Sequence, residues 1–302
     1  MYGQILVPLD GSALAEQVLP YVRILAARLR TPVTLLRAFG SVPGEPADPN
    51  YGLYVEQVVE GIRTKAQNYL EKVRTGLKDL GVPIAISVLE GGPARHIIQE
   101  AERTPDTLIT MCTHGRSGMS RWLLGSTTEK VLLAASSPLL VLRSRTTVAS
   151  PSAASLKTVV VPLDGSPLAE QVLPYVTWLA SALYLKVHLA RVVSRPGDYY
   201  SDIGTRMPYA LPGPENLDEE ASNYLGNVSN KLRSEGTLSR VECTVLHGHP
   251  AGAIIDFAKV VPDNLVALTT HGRSGIERWV MGSVADRVVR YCGDPVLVVR
   301  TR

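Results

Sequence analysis

The stretch VPLDGSALAEQVLPYV, residues 7–22, returns as VPLDGSPLAEQVLPYV at residues 161–176, differing only at Ala13 against Pro167. In the same way THGRSGMSRWLLGS, residues 113–126, returns as THGRSGIERWVMGS, residues 270–283. The two pairs stand at nearly the same offset, so the chain reads as two copies of one domain. What the copies kept is informative. Packing accounts for valines and leucines held twice. It does not account for Asp-Gly-Ser or His-Gly-Arg-Ser-Gly, which belong to loops, where binding residues concentrate.

Outward from the first stretch, residues 4–9 read as a buried strand ending at Asp10-Gly11-Ser12, followed by a helical pattern over 13–29. Further strands are expected at 33–38, 84–89, 107–112 and 139–142, with helices near 55–80, 94–103 and 126–135. The second copy repeats this, with strands near 158–163, 186–192, 242–246, 265–269 and 296–299. Near-continuous apolar runs separated by helices predict a parallel sheet covered on both faces, an α/β/α sandwich in each copy. Domains are placed at 1–145 and 157–302, with a Ser/Thr/Ala/Pro-rich linker at 146–156. The segment 194–217 is the least similar part of the two halves. Its Pro, Gly and Tyr content reads as a surface excursion or lid.

At 302 residues, with 20% charged side chains and a net charge of +3, the composition is ordinary for a globular protein. The charge is too small to argue for nucleic acid. The opening MYGQILVPLD lacks the basic and apolar regions of a secretory leader, and no run approaches the roughly 18 apolar residues of a membrane span. Cys112, Cys243 and Cys292 show no metal-binding spacing. A cytoplasmic protein without membrane or nucleic-acid partners is expected.

The candidate chemistry lies in loops at the carboxyl ends of strands, where open α/β sheets bind ligands. After the fourth strand, Gly115 and Gly118 leave backbone amides uncrowded, and Gly125 precedes Ser126 at the start of a helix. Ser126-Thr-Thr-Glu129 has the form of a capping box, and Ser283-Val-Ala-Asp286 is close to it. A helix N-terminus behind glycines suits a phosphate; a plain glycine turn into a capped helix is the plainer alternative. The pattern recurs as Gly272, Gly275, Gly282 and Ser283. Arg116 and Arg273 are candidate phosphate neighbours, or ordinary solvated arginines. Asp10 and Asp164 suit either a helix cap or a carboxylate beside a ribose or a phosphate-bound Mg²⁺. His114 and His271 have no partner arrangement for acid/base catalysis and read as structural. Gly91-Gly92-Pro93 and Gly248-His249-Pro250 read as turn chemistry with proline near a helix start. Neither a Walker-type G-x-x-x-x-G-K-[ST] nor a G-x-G-x-x-G after the first strand occurs, which argues against a P-loop NTPase or a dinucleotide-dependent dehydrogenase.

With these motifs the two halves resemble the universal stress protein family in its tandem form, over nearly the whole chain apart from the linker and the 194–217 segment. ATP-binding members carry G-x-x-G, nine residues, then G-[ST]. Here the pattern reads Cys112-Thr-His-Gly115, nine residues, Gly125-Ser126, and Thr269-Thr-His-Gly272, nine residues, Gly282-Ser283. The first glycine is replaced in both copies, so a side chain stands where such members have none. The resemblance implies a five-stranded parallel sheet of order 3-2-1-4-5 in each half, of the adenine nucleotide α-hydrolase-like type, the halves paired about a pseudo-two-fold axis. It implies ATP, with AMP or ADP as alternatives, and Mg²⁺ carried by the nucleotide. Pro8, Leu9 and Asp10, with Pro162, Leu163 and Asp164, would then line the adenosine. Ala38 and Val192 would meet adenine through their backbone. Gly115, Gly125, Ser126 and Thr127, with Gly272, Gly282, Ser283 and Val284, would hold the phosphates.

In the family the fifth strands pair across a dimer. The uncharged strands at 138–142 and 295–299 therefore lead to an expected pairing of the two halves within one chain, with a further homodimer left open. The expected role is an ATP-binding stress-response module, not an enzyme, with slow hydrolysis at most. The alternatives are a scaffold of the same fold that binds no nucleotide, and a true enzyme of the wider superfamily. The last is disfavoured because no S-G-G-x-D-S-type loop is present.

Overall fold

The computed structural model describes residues 2–40, 51–113, 124–143, 154–194, 216–234, 238, 240–271 and 281–301. The expected linker and the 194–217 segment lie largely outside them. So do Gly115, Arg116 and Gly118, Gly272, Arg273 and Gly275, and His114. The chain divides into two compact units, Met1–Ala154 and Ser155–Arg302.

In the first unit the elements run β1 (Gln4–Pro8), α1 (Ala13–Glu16), α2 (Leu19–Leu29), β2 (Val33–Phe39), α3 (Tyr51–Gly76), a 3₁₀ turn (Lys78–Leu80), β3 (Ile84–Glu90), α4 (Pro93–Arg103), β4 (Thr107–Cys112), α5 (Ser126–Ala134) and β5 (Leu139–Leu142). The strands are parallel and ordered β3-β2-β1-β4-β5, as expected. The order reverses direction between β1 and β4. Right-handed crossovers then place α2 and α3 on one face and α4 and α5 on the other. Accordingly α3 packs on β2 and β3, while α4 packs on β1, β2, β4 and α5.

The second unit repeats this with β6 (Thr158–Pro162), α6 (Pro167–Glu170), α7 (Leu173–Leu183), β7 (Lys186–Val193), α8 (Leu217–Ser234), β8 (Val241–His247), α9 (Pro250–Val260), β9 (Asn264–Thr269), α10 (Ser283–Tyr291) and β10 (Val296–Val299). Its order is β8-β7-β6-β9-β10, again parallel.

The central strands are apolar because both faces are covered. Ile5, Leu6, Leu35, Leu36, Leu108 and Ile109 are fully buried in the first unit, and Leu189 and Leu265 in the second. One polar chain crosses the first core. Gln4 Nε2 donates to Thr107 Oγ1 at 3.0 Å, and Thr34 Oγ1 donates to Gln4 Oε1 at 2.9 Å, tying β1 to both neighbours. The second copy has Thr158, Asn264 and His188 at those positions.

One expected helix is divided. Instead of a single helix over 13–29, α1 ends at Glu16 and α2 begins at Leu19, with Pro20 in its first turn. Proline has no N–H to give and its ring crowds the carbonyl four residues earlier, so the chain restarts the helix. Pro174 does the same between α6 and α7.

Candidate functional site

The first strand delivers its carboxyl end to the crevice. Pro8 pairs with Leu36, and Leu9 N–H donates to Leu36 O at 2.8 Å. The chain then turns through Gly11, whose φ of +85° is left-handed and suits glycine. Asp10 Oδ1 accepts the Ser12 N–H at 2.9 Å and the Ser12 hydroxyl at 2.6 Å, while Ser12 Oγ accepts the Ala15 N–H at 3.1 Å and caps α1. The second unit reproduces the turn. Leu163 N–H donates to Ala190 O at 2.8 Å and Gly165 has φ +87°. Asp164 Oδ1 accepts the Ser166 N–H at 2.9 Å, and Ser166 Oγ caps α6. The cap reading of Asp-Gly-Ser is therefore realised. It leaves Asp10 at the cavity wall as well.

The fourth strand ends beside it. Where the chain returns from the loop after β4, Gly125 N–H donates to Thr113 O at 2.9 Å, and Gly282 N–H donates to Thr270 O at 2.8 Å. A Cβ on Gly282 would stand 3.0 Å from that Thr270 oxygen, a tight approach that favours glycine at the return. Gly125 is the N-cap, in extended conformation, and α5 starts at Ser126. The first backbone bond of α5 runs from Glu129 N–H to Gly125 O at 2.9 Å. The amides of Ser126, Thr127 and Thr128 thus have no acceptor within the helix and sit at its positive end. Thr128 Oγ1 donates to Cys112 O at 3.0 Å and pins this turn to β4.

The capping-box expectation is corrected. Ser126 and Ser283 occupy the first helical position, behind Gly125 and Gly282 as caps. Both serines are exposed at the start of their helices.

These pieces enclose a cavity of about 310 Å³ in the first unit, within the size range of small-molecule sites. Pro8, Leu9, Asp10, Ala38, Gly125, Ser126 and Thr127 all line it. The remaining first-copy candidates, Gly115, Arg116 and Gly118, lie outside the described residues. The wall also takes residues that sequence reasoning missed: Leu36, Pro93, Ile97 and Met111. Pro93 opens α4 behind the N-cap Gly92, as the turn reading had it, yet it faces the cavity too.

Cys112 lines the cavity at the position of the replaced glycine, with its Sγ directed 3.6 Å from Ala15 O in α1. In the second unit Thr269 Oγ1 donates to His271 O at 2.7 Å. The second-copy candidates occupy matching places: Pro162 at the end of β6, Leu163 and Asp164 in its turn, Val192 in β7 beside Leu246, and Gly282, Ser283 and Val284 at the start of α10. Among the described residues no group of three or more His, Cys, Asp or Glu side chains converges as a metal site.

The model of the universal stress protein family matches residues 1–143 and again 155–300. A universal stress protein of Methanocaldococcus jannaschii is 32% identical over 145 residues, covering 47% of this chain and 83% of that protein. One of Mycolicibacterium smegmatis is 26% identical over 307 residues, covering 100% of this chain and 98% of that protein. The crystal structure of a universal stress protein from Archaeoglobus fulgidus aligns with a TM-score of 0.70 at 20% identity, covering 99% of each chain. No described helix is long and apolar enough to cross a membrane.

Proposed function

The chain belongs to the universal stress protein family, and from that premise we propose that it is an ATP-binding regulatory module with one nucleotide pocket per unit. The observation that carries this reading is the convergence, in one cavity, of the Asp10 turn and the amide-bearing start of α5. A purine and ribose suit the apolar wall of Leu9, Leu36, Ala38 and Ile97. Phosphates suit the free amides and the Ser126 and Thr127 hydroxyls, which add donors where the helix end is already positive. Arg116 and Arg273, with the glycines of the same loops, would complete the phosphate cradle. A magnesium ion would arrive on the phosphates, with Asp10 or Asp164 as its carboxylate neighbour.

The reading is of binding, not turnover. Asp10 Oδ1 already accepts two hydrogen bonds from Ser12, which suits the carboxylate to orient a sugar hydroxyl more than to take a proton from water. A second reading, a scaffold of the same fold without nucleotide, is favoured by Cys112 on the cavity wall, where ATP-binding members have glycine.

Calorimetric titration of the nucleotide-free protein with Mg-ATP separates the two. Saturable binding is expected, reduced by Gly125→Val, whose branched side chain fills the cap position. No heat from the wild type at millimolar ATP overturns the first reading in favour of the second.

A further inference from the structure

Besides the two quoted motifs, the copies share a second constellation, on the α2/α3 side of the first sheet and the α7/α8 side of the second. In the first unit the Arg37 guanidinium, from β2, lies 4.9 Å from the centroid of the Tyr69 ring on α3. In the second, Arg191 lies 5.0 Å from the Tyr224 ring. Tyr224 Oη donates to Glu170 Oε1 at 2.9 Å. Tyr69 Oη is buried beside Glu16 without closing a hydrogen bond of good geometry. Burial first, and then the adjacent carboxylate, hold both phenols neutral well above the ordinary tyrosine range.

The same cluster reaches the turn at the site. A Cβ on Gly11 would stand 3.0–3.2 Å from the guanidinium atoms of Arg37, so the arginine head lies against the Asp10-Gly11-Ser12 turn where a side chain is missing. The Asp10 charge is felt at Tyr69 together with that of Arg37, and Asp164 at Tyr224 together with Arg191. Arg37 thus lies over the ring on one side and against the turn on the other, and Arg191 lies over its ring in the same way. Arg37 does not face the cavity, because Leu36 and Ala38, its neighbours in the alternation of β2, do so.

We infer that Arg37, Tyr69 and Glu16, with Arg191, Tyr224 and Glu170 in the second unit, are positioning residues that hold the Asp10 and Asp164 turns in register with a nucleotide sugar. This rests on the nucleotide reading above. An arginine stacked on a neutral phenol is fixed in place, and a fixed positive charge behind the turn keeps the aspartate carboxylate aimed into the crevice. A turn held only by Ser12 and Ser166 would keep its cap and lose that aim.

The test compares ATP with 2′,3′-dideoxy-ATP on the full chain, by equilibrium titration of wild type and of Arg37→Met/Arg191→Met. The wild type is expected to prefer ATP on the order of tenfold, the size of one or two hydrogen bonds to a carboxylate. In the double variant that preference is expected to fall to about twofold or less, with the dideoxy nucleotide bound as in wild type. Equal weakening of both ligands would show a general structural role and overturn the inference. An unchanged preference would overturn it as well, and so would a wild type that binds both ligands equally. A wild type that binds neither overturns the nucleotide reading itself. If the methionine variant does not fold, Arg37→Lys/Arg191→Lys reads the same ratio. It keeps the charge without the planar stack, and its preference is expected to lie between those of the other two; an unaltered wild-type ratio contradicts the inference.

Discussion

At Gly11 the backbone sits at φ +85°, and an added Cβ would press on the Arg37 guanidinium at 3.0 Å. Gly11→Ala is therefore expected to lower stability by about 1–3 kcal/mol, read from the urea midpoint. Gly61 is the contrast. It is exposed within α3 with open space around it, so Gly61→Ala is expected to raise stability by about 0.5–1 kcal/mol. Loss of stability in both variants would contradict the account. At this scale the sequence was most readable where the duplication had kept loop residues: Asp10, Gly125 and Ser126 all stand on the cavity. Pro93, Ile97 and Met111 were not legible as site residues, because an apolar side chain on a pocket wall and one in a core follow the same periodicity. The start of α5 at Ser126 was legible, but the capping role read onto Ser126 belongs to Gly125. Serine and glycine are both good caps, and only the backbone shows which one occupies the place. The Arg37–Tyr69–Glu16 cluster left a signal in the same duplication, but its members lie on three separate elements and join only in three dimensions.

Among the elements, the strands were legible because parallel strands buried on both faces must be apolar almost throughout. Helix ends were less so. The break before Pro20 and Pro174 was written in the sequence but outweighed by the helical pattern around it. β7 carries a feature the first copy lacks. His188, where β2 has Thr34, is half-buried; its Nε2 lies 2.7 Å from Thr244 Oγ1 and its ring meets Phe257 edge-on at 4.8 Å. Burial, and to a lesser degree Lys186, lowers its pKa against the opposing pull of Glu242. A histidine whose folded pKa is depressed favours the folded state above its unfolded pKa, near 6.5, and that stability is lost as pH falls below it. The unfolding midpoint of the protein is thus expected to fall between pH 7 and pH 5, and His188→Thr to flatten that decline. An equally steep decline in the variant would assign the effect elsewhere.

At the scale of the whole molecule, the duplication supplies two units of the same topology with the same turn, cap and loop closure. It also supplies differences at the pocket: Cys112 against Thr269, Thr127 against Val284, Leu36 and Ala38 against Ala190 and Val192. Methyl groups have moved along the strand, and one hydroxyl at the helix start, that of Thr127, is absent from the second copy, where Val284 stands. The second site is therefore expected to hold ATP more weakly than the first. Native mass spectrometry of the intact chain with Mg-ATP counts the nucleotides directly. The account predicts two on the wild type at saturation, one on Gly125→Val, one on Gly282→Val and none on the double variant. A wild type that carries no nucleotide, or a double variant that carries as many as the wild type, would contradict it.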